Sequence, residues 1–118
     1  MVLGVGIDIV KIDKMKDAIE RWGEAFLEKV FNQKELEPIQ KGKMYYQRLA
    51  ARFAAKEAVI KALSKEYPMA LKDMTILNRD NGAPYCLLPS AQDIEIFLSL
   101  SHIEDYAVAC AVAQKKSV

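Results

Sequence analysis

The sequence has few of the residues that build disulfide, zinc or redox sites. Its 118 residues include two cysteines and one histidine, without a CxxC motif or another metal-ligand spacing. Cys86 and Cys110 each lie in an apolar run, where a small buried thiol is the expected role. This scarcity argues against a disulfide-rich secreted domain and favours a reduced, cytoplasmic protein.

Long apolar runs and an excess of one charge are also absent. The apolar segment 2–10 is too short to span a membrane, is interrupted by Asp8, and lacks the basic region of a signal peptide. Seventeen Lys and Arg residues against sixteen Asp and Glu residues leave a net charge of +1. We therefore expect neither nucleic acid nor a membrane as partner, and a charged partner must bind a local patch.

The remaining composition is that of an ordinary globular protein, with 52% hydrophobic and 28% charged residues. The length suits one hydrophobic core, so we expect a single domain over residues 1–118.

The dominant pattern is a helix expected from about Met44 to Lys65. In its segment 49–63, LAARFAAKEAVIKAL, the residues Leu49, Phe53 and Ile60 form an apolar stripe, and alanines cover most of the remaining surface. Such a helix should be packed on most sides.

The few charges on this helix therefore need partners. Glu57 and Lys61 are four residues apart and adjacent, whereas Lys56 projects between Leu49 and Leu63, where a solvated face is not available. The alternative is that these charges pair with one another or extend their long side chains to water.

The first apolar segment, VLGVGIDIV, predicts a strand with two different faces. One face is apolar, and the other carries Gly4, Gly6 and Asp8. A carboxylate in such a strand is costly to bury unless it is hydrogen-bonded, paired or bound to a metal, and the glycines leave room beside it. Alternatively, Asp8 caps the following helix.

Local patterns predict the other elements. Helices are expected at 11–22, ending at Gly23, at 24–30, and at 33–40 with Asn32 and Glu35 as a capping box; a loop follows at 41–43. Strands are expected at 74–78, 85–88, 94–101 and 106–112, the first two joined by a tight Asn-Gly turn, and the tail 114–117 is polar. The last strand has an all-alanine face suited to close helix packing. The predicted fold is α+β, a mainly antiparallel sheet packed on a long central helix.

Three polar side chains stand out for chemistry: Asp8, Glu57 and the single histidine, His102. Two carboxylates without a second histidine favour a hard cation such as Mg²⁺, which binds few protein carboxylates together with waters and phosphate oxygens. Lys61, one turn after Glu57, is placed to contact a phosphate. A lone histidine is more often structural than catalytic. The two carboxylates and Lys61 alone therefore indicate Mg²⁺ and a phosphate-bearing substrate.

Four segments, GIDIV (6–10), ARFAAKEAVIKAL (51–63), NGAPY (81–85) and LSLSHIEDYAVA (98–109), resemble motifs of the holo-[acyl-carrier-protein] synthase family of 4′-phosphopantetheinyl transferases. They span nearly the whole chain in the family's order, and GID followed by FxxKEAxxKA and SHxxxYA is a specific combination. The resemblance implies that family's fold and Mg²⁺-dependent transfer of phosphopantetheine from coenzyme A to a serine of apo acyl carrier protein, releasing adenosine 3′,5′-bisphosphate. It also implies a homotrimer with active sites between subunits.

The resemblance also implies roles for individual residues. Asp8 and Glu57 match the family's metal ligands, and Lys61 matches a lysine that contacts the coenzyme A phosphates. All three are expected in catalysis, with Glu57, acting directly or through a water, the first candidate for general base and Asp8 the second.

Coenzyme A binding is implied for three further residues, Gly82 and Pro84 of the NGxP turn and His102 of SHxxxYA. One departure is that Leu63 is followed by residues 64–67, SKEY, where the family has a Gly-Thr-Gly-like loop.

Acyl carrier proteins are acidic, so a local basic patch should bind them. The exposed side of the first helix, with Lys14 and Arg21, is the candidate, although Asp17 and Glu20 dilute the patch and a merely solvated face is the alternative. Lys14 stands where the family often has arginine. Lysine keeps the positive charge but lacks the planar fork of a guanidinium.

There are two alternative functions, of which only the first uses the same carboxylates. A metal-dependent phosphohydrolase would cleave coenzyme A with water and need no protein acceptor. A non-catalytic oligomeric binding module would have no use for Asp8, Glu57 and Lys61 together.

Overall fold

A computed structural model describes residues 1–63 and 66–117. Along the chain these residues form β1 (Val2–Lys11), α1 (Ile12–Trp22), α2 (Glu24–Val30), α3 (Gln33–Leu36), α4 (Tyr45–Leu63), a 3₁₀ turn (Leu71–Asp73), β2 (Thr75–Asn78), β3 (Pro84–Leu87), β4 (Ile94–His102) and β5 (Tyr106–Lys115). The predicted α+β class and the long central helix are confirmed.

The strands are antiparallel, as predicted, but they form two sheets. One has the order β1-β5-β4, and the other is the hairpin β2-β3. The outer edge of β2 is occupied by side chains: the backbone N–H of Ile76 donates to Glu35 at 2.8 Å, and its carbonyl accepts from Arg52. These contacts satisfy an edge that would otherwise be open to another strand.

Helix α4 lies on one face of the three-stranded sheet. The predicted alanine face of β5 is fully buried against it, at Ala107, Ala109, Ala111 and Ala113. The room that the sequence predicts beside Asp8 is filled by this helix, because a Cβ on Gly6 would overlap the carbonyl oxygen of Ala58.

Lys56 is fully buried in the core, and its partner is Glu35. The Lys56 ammonium lies 2.6 Å from the Glu35 carboxylate and donates to the carbonyls of Val30 at 2.7 Å and Leu71 at 2.9 Å. The predicted need for a partner is confirmed. The alternative, that Lys56 pairs along its own helix or reaches water, is wrong for this residue.

Several element boundaries differ from the predictions. Asn32 and Glu35 form the predicted capping box, but α3 ends at Leu36 rather than at residue 40, because Pro38 cannot continue a helix. Strand β5 continues to Lys115, so Gln114 is paired in the sheet rather than part of a tail. The predicted helix end at residues 64–65 lies outside the described residues.

Helix α1 ends at Gly23, as predicted, with a φ of +54° that favours glycine. Of the apolar residues expected on its buried side, Ile12 and Met15 are buried, but Trp22 is 60% exposed because the helix extends beyond the core. Cys86 and Cys110 are free and only partly buried. Among the described residues, no helix is both long and apolar enough to cross a membrane.

Candidate active site

Two clefts lie on different sides of α4. The first, the carboxylate cleft, has a volume of about 630 Å³ and includes Asp8, Lys14, Phe53, Glu57 and Tyr106. The second, the hairpin cleft, has a volume of about 640 Å³ and includes Arg48, Arg52, Asn78, Gly82, Pro84 and His102. A third cleft, of about 830 Å³ between β3 and β4, includes Pro84 but neither Asp8 nor Glu57.

The carboxylate cleft contains both predicted metal ligands, Asp8 and Glu57, and the predicted catalytic Lys61 contacts Asp8. Strand β1 directs Asp8 to the helix side of the sheet, where its side chain is 17% exposed and lies 3.1 Å from the ammonium of Lys61. Lys61 also donates to the carbonyl of Ile7 at 3.0 Å. The contacts of Lys61 therefore tie α4 to β1 at the point where Asp8 enters the cleft.

Glu57 and Asp8 influence each other through their charges. Burial raises the pKa of Glu57 above its usual range; the negative charge of Asp8 raises this pKa further, and Lys61 partly opposes the increase. Two anions that repel across a cleft stabilise a cation between them.

The alternative role of Asp8 as a helix cap is wrong. The residue at the N-cap of α1 is Lys11, and that helix end has no side-chain cap hydrogen bond.

The donor set can be compared with the needs of possible metals. The part of the chain that the structure describes contains no group of three or more His, Cys, Asp or Glu side chains able to enclose a metal. Zinc and calcium sites usually need such a set, whereas Mg²⁺ is held by one or two carboxylates and completed by waters and phosphate oxygens. Asp8 and Glu57 therefore fit Mg²⁺ together with a phosphate-bearing ligand.

The hairpin cleft contains the residues predicted for coenzyme A binding. Gly82 has a φ of +89°, which favours glycine, Pro84 begins β3, and His102 ends β4 with an exposed side chain. The structure brings these three residues into one cleft but places them across α4 from Asp8 and Glu57.

Two arginines on this side of α4 were not predicted as site residues. Arg48 and Arg52 are four residues apart and border the hairpin cleft, Arg48 exposed and Arg52 buried. Their spacing places them on one side of the helix, about 100° or more away from Phe53 and Glu57. The sequence signal that could have identified the two arginines is a pair of cations on a side of this helix away from Glu57.

Of the two predicted carrier-binding residues, only one borders the carboxylate cleft. Lys14 and Arg21 are both exposed on α1, and Lys14 borders the carboxylate cleft, whereas Arg21 does not.

Comparison with known proteins identifies the family of this chain. The model of the 4′-phosphopantetheinyl transferase superfamily matches residues 4–111. The chain belongs to this superfamily. It is 43% identical to a holo-[acyl-carrier-protein] synthase of Thermodesulfovibrio yellowstonii, covering 95% of this chain and 98% of the relative. It is also 35% identical to the enzyme of that name from Clostridium tetani over the full length of both.

Solved structures of the superfamily share the fold. The holo-(acyl-carrier-protein) synthase of Bacillus anthracis in complex with CoA (3′,5′-ADP) has a TM-score of 0.85 and 30% identity, covering 98% of this chain and 99% of that one. The Helicobacter pylori holo-[acyl-carrier-protein] synthase in complex with coenzyme A has a TM-score of 0.80 and 27% identity, covering 93% and 99%. The GID, KEA, NGxP and SHxxxYA segments of this chain lie on β1, α4, the β2-β3 turn and the β4-β5 hairpin.

Proposed function

We propose that this chain transfers the 4′-phosphopantetheine group of coenzyme A to a serine of apo acyl carrier protein and releases adenosine 3′,5′-bisphosphate. The observation that carries the proposal is that Asp8 and Glu57 meet at the carboxylate cleft, with the ammonium of Lys61 3.1 Å from Asp8. Curated relatives that match over nearly their whole length are holo-[acyl-carrier-protein] synthases. We further propose that residues 1–118 form one transferase domain.

The residues at this cleft suit phosphoryl transfer. The serine oxygen forms a bond to the pantetheine-side phosphorus while the bond to the bridging oxygen breaks, and the serine proton must leave. Glu57 is the first candidate to accept this proton, directly or through a water, and Asp8 is the second. Lys61 neutralises charge on the diphosphate, an interaction that strengthens as charge moves onto the leaving oxygen.

Asp8 and Glu57 would hold Mg²⁺, and the bound ion would neutralise charge on the phosphate oxygens. In the structure the cation facing Asp8 is the ammonium of Lys61, at 3.1 Å, so this position already favours positive charge. Asp8 also orients Lys61 through this contact.

The hairpin cleft is proposed to hold the nucleotide half of coenzyme A. The backbone of the Gly82 turn, Pro84 and His102 form its wall, and Arg48 supplies an exposed positive charge. Lys61 would contact the diphosphate, which joins the nucleotide half to pantetheine.

The two halves of this site lie on different sides of α4 within one chain, which supports a homotrimer with active sites between subunits. A second observation is the apolar outer face of the three-stranded sheet, where Val5, Ile7 and Ile9 are 62, 63 and 62% exposed. Soluble monomers rarely leave a contiguous apolar patch of this kind uncovered. Light scattering at micromolar concentration tests this part, and a monomeric mass would contradict it.

The carrier protein is proposed to bind α1 through Lys14 and Arg21. Lys14 already borders the carboxylate cleft, so a carrier on this helix would have its serine close to Glu57. The two free thiols, Cys86 and Cys110, are in keeping with a reducing compartment, and we propose the cytoplasm.

One incubation tests the function. Apo acyl carrier protein, coenzyme A and Mg²⁺ are mixed with the protein, and the intact mass of the carrier is measured. We expect the carrier to gain one phosphopantetheine, and no gain in a carrier whose acceptor serine is replaced by alanine. Consumption of coenzyme A without a carrier would instead indicate a phosphohydrolase, and absence of both reactions would indicate a binding module.

A further inference from the structure

A series of polar contacts joins the buried side of α4 to the turn of the β2-β3 hairpin. Arg52 is only 8% exposed, and its guanidinium donates to the carbonyl of Ile76 and to the side-chain oxygen of Asn78, the latter at 2.7 Å. The Asn78 amide nitrogen in turn donates to the carbonyl of Gly82 at 2.8 Å. Asn78 is thus the single side chain in this series between the helix and the turn.

The chemistry of the two neighbours determines which side chain suits position 78. A guanidinium has donors and no acceptor, so Asn78 must direct its carbonyl oxygen toward Arg52. Its NH₂ group is then free to donate to the Gly82 carbonyl. Aspartate would satisfy Arg52 but would place a second oxygen against that carbonyl, and alanine would satisfy neither neighbour.

The helix end of this series is rigid. Ile76 is held on both backbone groups, by Arg52 at the carbonyl and by Glu35 at the N–H, 2.8 Å away. Glu35 is paired in turn with the buried Lys56, which precedes Glu57 on α4. The position of Asn78 is therefore coupled to the helix that carries the catalytic carboxylate.

The turn end has little other support. Gly82 has a φ of +89°, and a Cβ placed on it would meet no atom within 4 Å. Two backbone hydrogen bonds close the turn, from Gly82 N–H to the Arg79 carbonyl and from Arg79 N–H to the Ala83 carbonyl, both at 2.8 Å. The side chain of Asn81 accepts one further hydrogen bond, from the Ala83 N–H at 3.0 Å. These three bonds lie within the turn, whereas Asn78 joins the turn to Arg52.

We propose that Asn78 is a positioning residue that acts through Gly82, holding the turn in the conformation that binds the nucleotide half of coenzyme A. The inference rests on the proposed function, because it assigns that ligand to the hairpin cleft. Asn78 is exposed, and Arg79 stacks on the ring of Tyr85 at 4.7 Å independently of it. Variants at position 78 should therefore fold.

The experiment compares Asn78→Ala and Asn78→Asp with the wild type. Asp80→Asn is the matched control, because it changes a neighbouring exposed residue of the same turn. Four quantities are measured: the Kd for coenzyme A by calorimetry, kcat with the KM of each substrate, the melting temperature, and the hydrogen-exchange rates of the Arg79 and Gly82 amides.

We expect both Asn78 variants to raise the Kd and KM for coenzyme A by about three- to tenfold, the range of one net hydrogen bond. Exchange of the two turn amides should be faster, whereas kcat, the KM for the carrier and the melting temperature should be unchanged. A purely structural role would lower the melting temperature without this selective effect on coenzyme A.

Wild-type coenzyme A affinity in Asn78→Ala would overturn the inference, even if Asn78→Asp bound more weakly, because the added charge alone would then explain the weaker binding. Faster exchange with unchanged affinity would also overturn it. Failure of the wild type to bind coenzyme A would refute the proposed function and the ligand assigned here, whereas the exchange rates would still show whether Asn78 holds the turn.

Discussion

Gly6 of β1 lies directly against the carbonyl oxygen of Ala58 on α4, closer than any side chain would allow. This contact brings the strand that carries Asp8 against the helix that carries Glu57 and Lys61. The glycine therefore sets the separation of the proposed catalytic groups as well as the packing of the core.

Replacement of Gly6 by alanine should separate β1 from α4. A methyl group here would overlap helix backbone, which cannot rotate away as a side chain would, so we expect a loss of about 1–3 kcal/mol or more in the free energy of unfolding. Urea denaturation measures the loss. Gly42→Ala is the control, because a Cβ at Gly42 meets no atom within 4 Å; equal stability of the two variants would contradict this account.

The packing of β5 on α4 could be predicted because each pattern is local: alternate alanines on a strand such as Ala107 and Ala109, and alanines over most of a helix. The need of Lys56 for a partner was predictable for the same reason. The identity of that partner was not predictable, because Glu35 belongs to a short helix distant in sequence and the pair forms only in the folded core.

The candidate site could likewise be predicted only in part. Asp8 and Glu57 share a cleft, with Lys61 beside Asp8, because β1 and α4 adjoin. The sequence predicted room beside Asp8 from the neighbouring glycines, but not that α4 fills it. The position of Gly82 and His102 across α4 depends on where the β2-β3 hairpin docks. That docking is set by contacts of Glu35 and Arg52 with the backbone of Ile76, which no periodicity reveals.

Removal of the buried cation should destabilise the fold strongly. Lys56→Met keeps much of the side-chain volume but leaves the fully buried Glu35 carboxylate without its counter-charge. Breaking a buried pair in this way costs about 3–5 kcal/mol, measured by urea denaturation. Lys34→Met, at an exposed position on α3, should have little effect, and a loss below about 1 kcal/mol in Lys56→Met would contradict the importance of the pair.

Cys86 should make the protein sensitive to alkali. Burial raises the pKa of its thiol from 9.0 to about 12, so between these values the unfolded chain loses a proton that the folded chain retains. Stability from this group is fully present below about pH 9 and is lost as pH rises toward 12. By pH 10.5 the loss reaches about 2 kcal/mol, at 1.36 kcal/mol per pKa unit.

Comparison with Cys86→Ala isolates this effect from other groups that titrate in alkali. The free energy of unfolding of the wild type should decrease more steeply than that of the variant between pH 9 and pH 10.5. Parallel curves for the two proteins would show that the thiol does not contribute.

The two carboxylates of the cleft should both be needed for turnover. Asp8→Asn and Glu57→Gln keep the side-chain size but remove the negative charge that would hold Mg²⁺ beside the transferring phosphate, so each should lower kcat by roughly 10²-fold or more. Asp13→Asn, at an exposed position on α1, is the control. Near-normal rates of both cleft variants at limiting Mg²⁺ would eliminate the proposed roles.

Charge reversal on α1 tests the carrier-docking surface. Exposed ion pairs contribute only about 0.2–1 kcal/mol each, but they accelerate association and weaken with salt. Arg21→Glu, and the double variant with Lys14→Glu, should therefore raise the KM for the carrier several-fold and flatten its dependence on salt. The KM for coenzyme A should change little in Arg21→Glu, because Arg21 lies outside both clefts.

Lys34→Glu provides the matched reversal at an exposed position on α3. It alters the net charge by the same amount as Arg21→Glu, so a specific docking surface requires a larger carrier effect from Arg21. If both substrates weakened together in Arg21→Glu, or neither did, α1 would not be the docking surface. The carrier would then have to bind other exposed basic residues, and Arg48 of α4 and the loop 41–43 before that helix are the next to test.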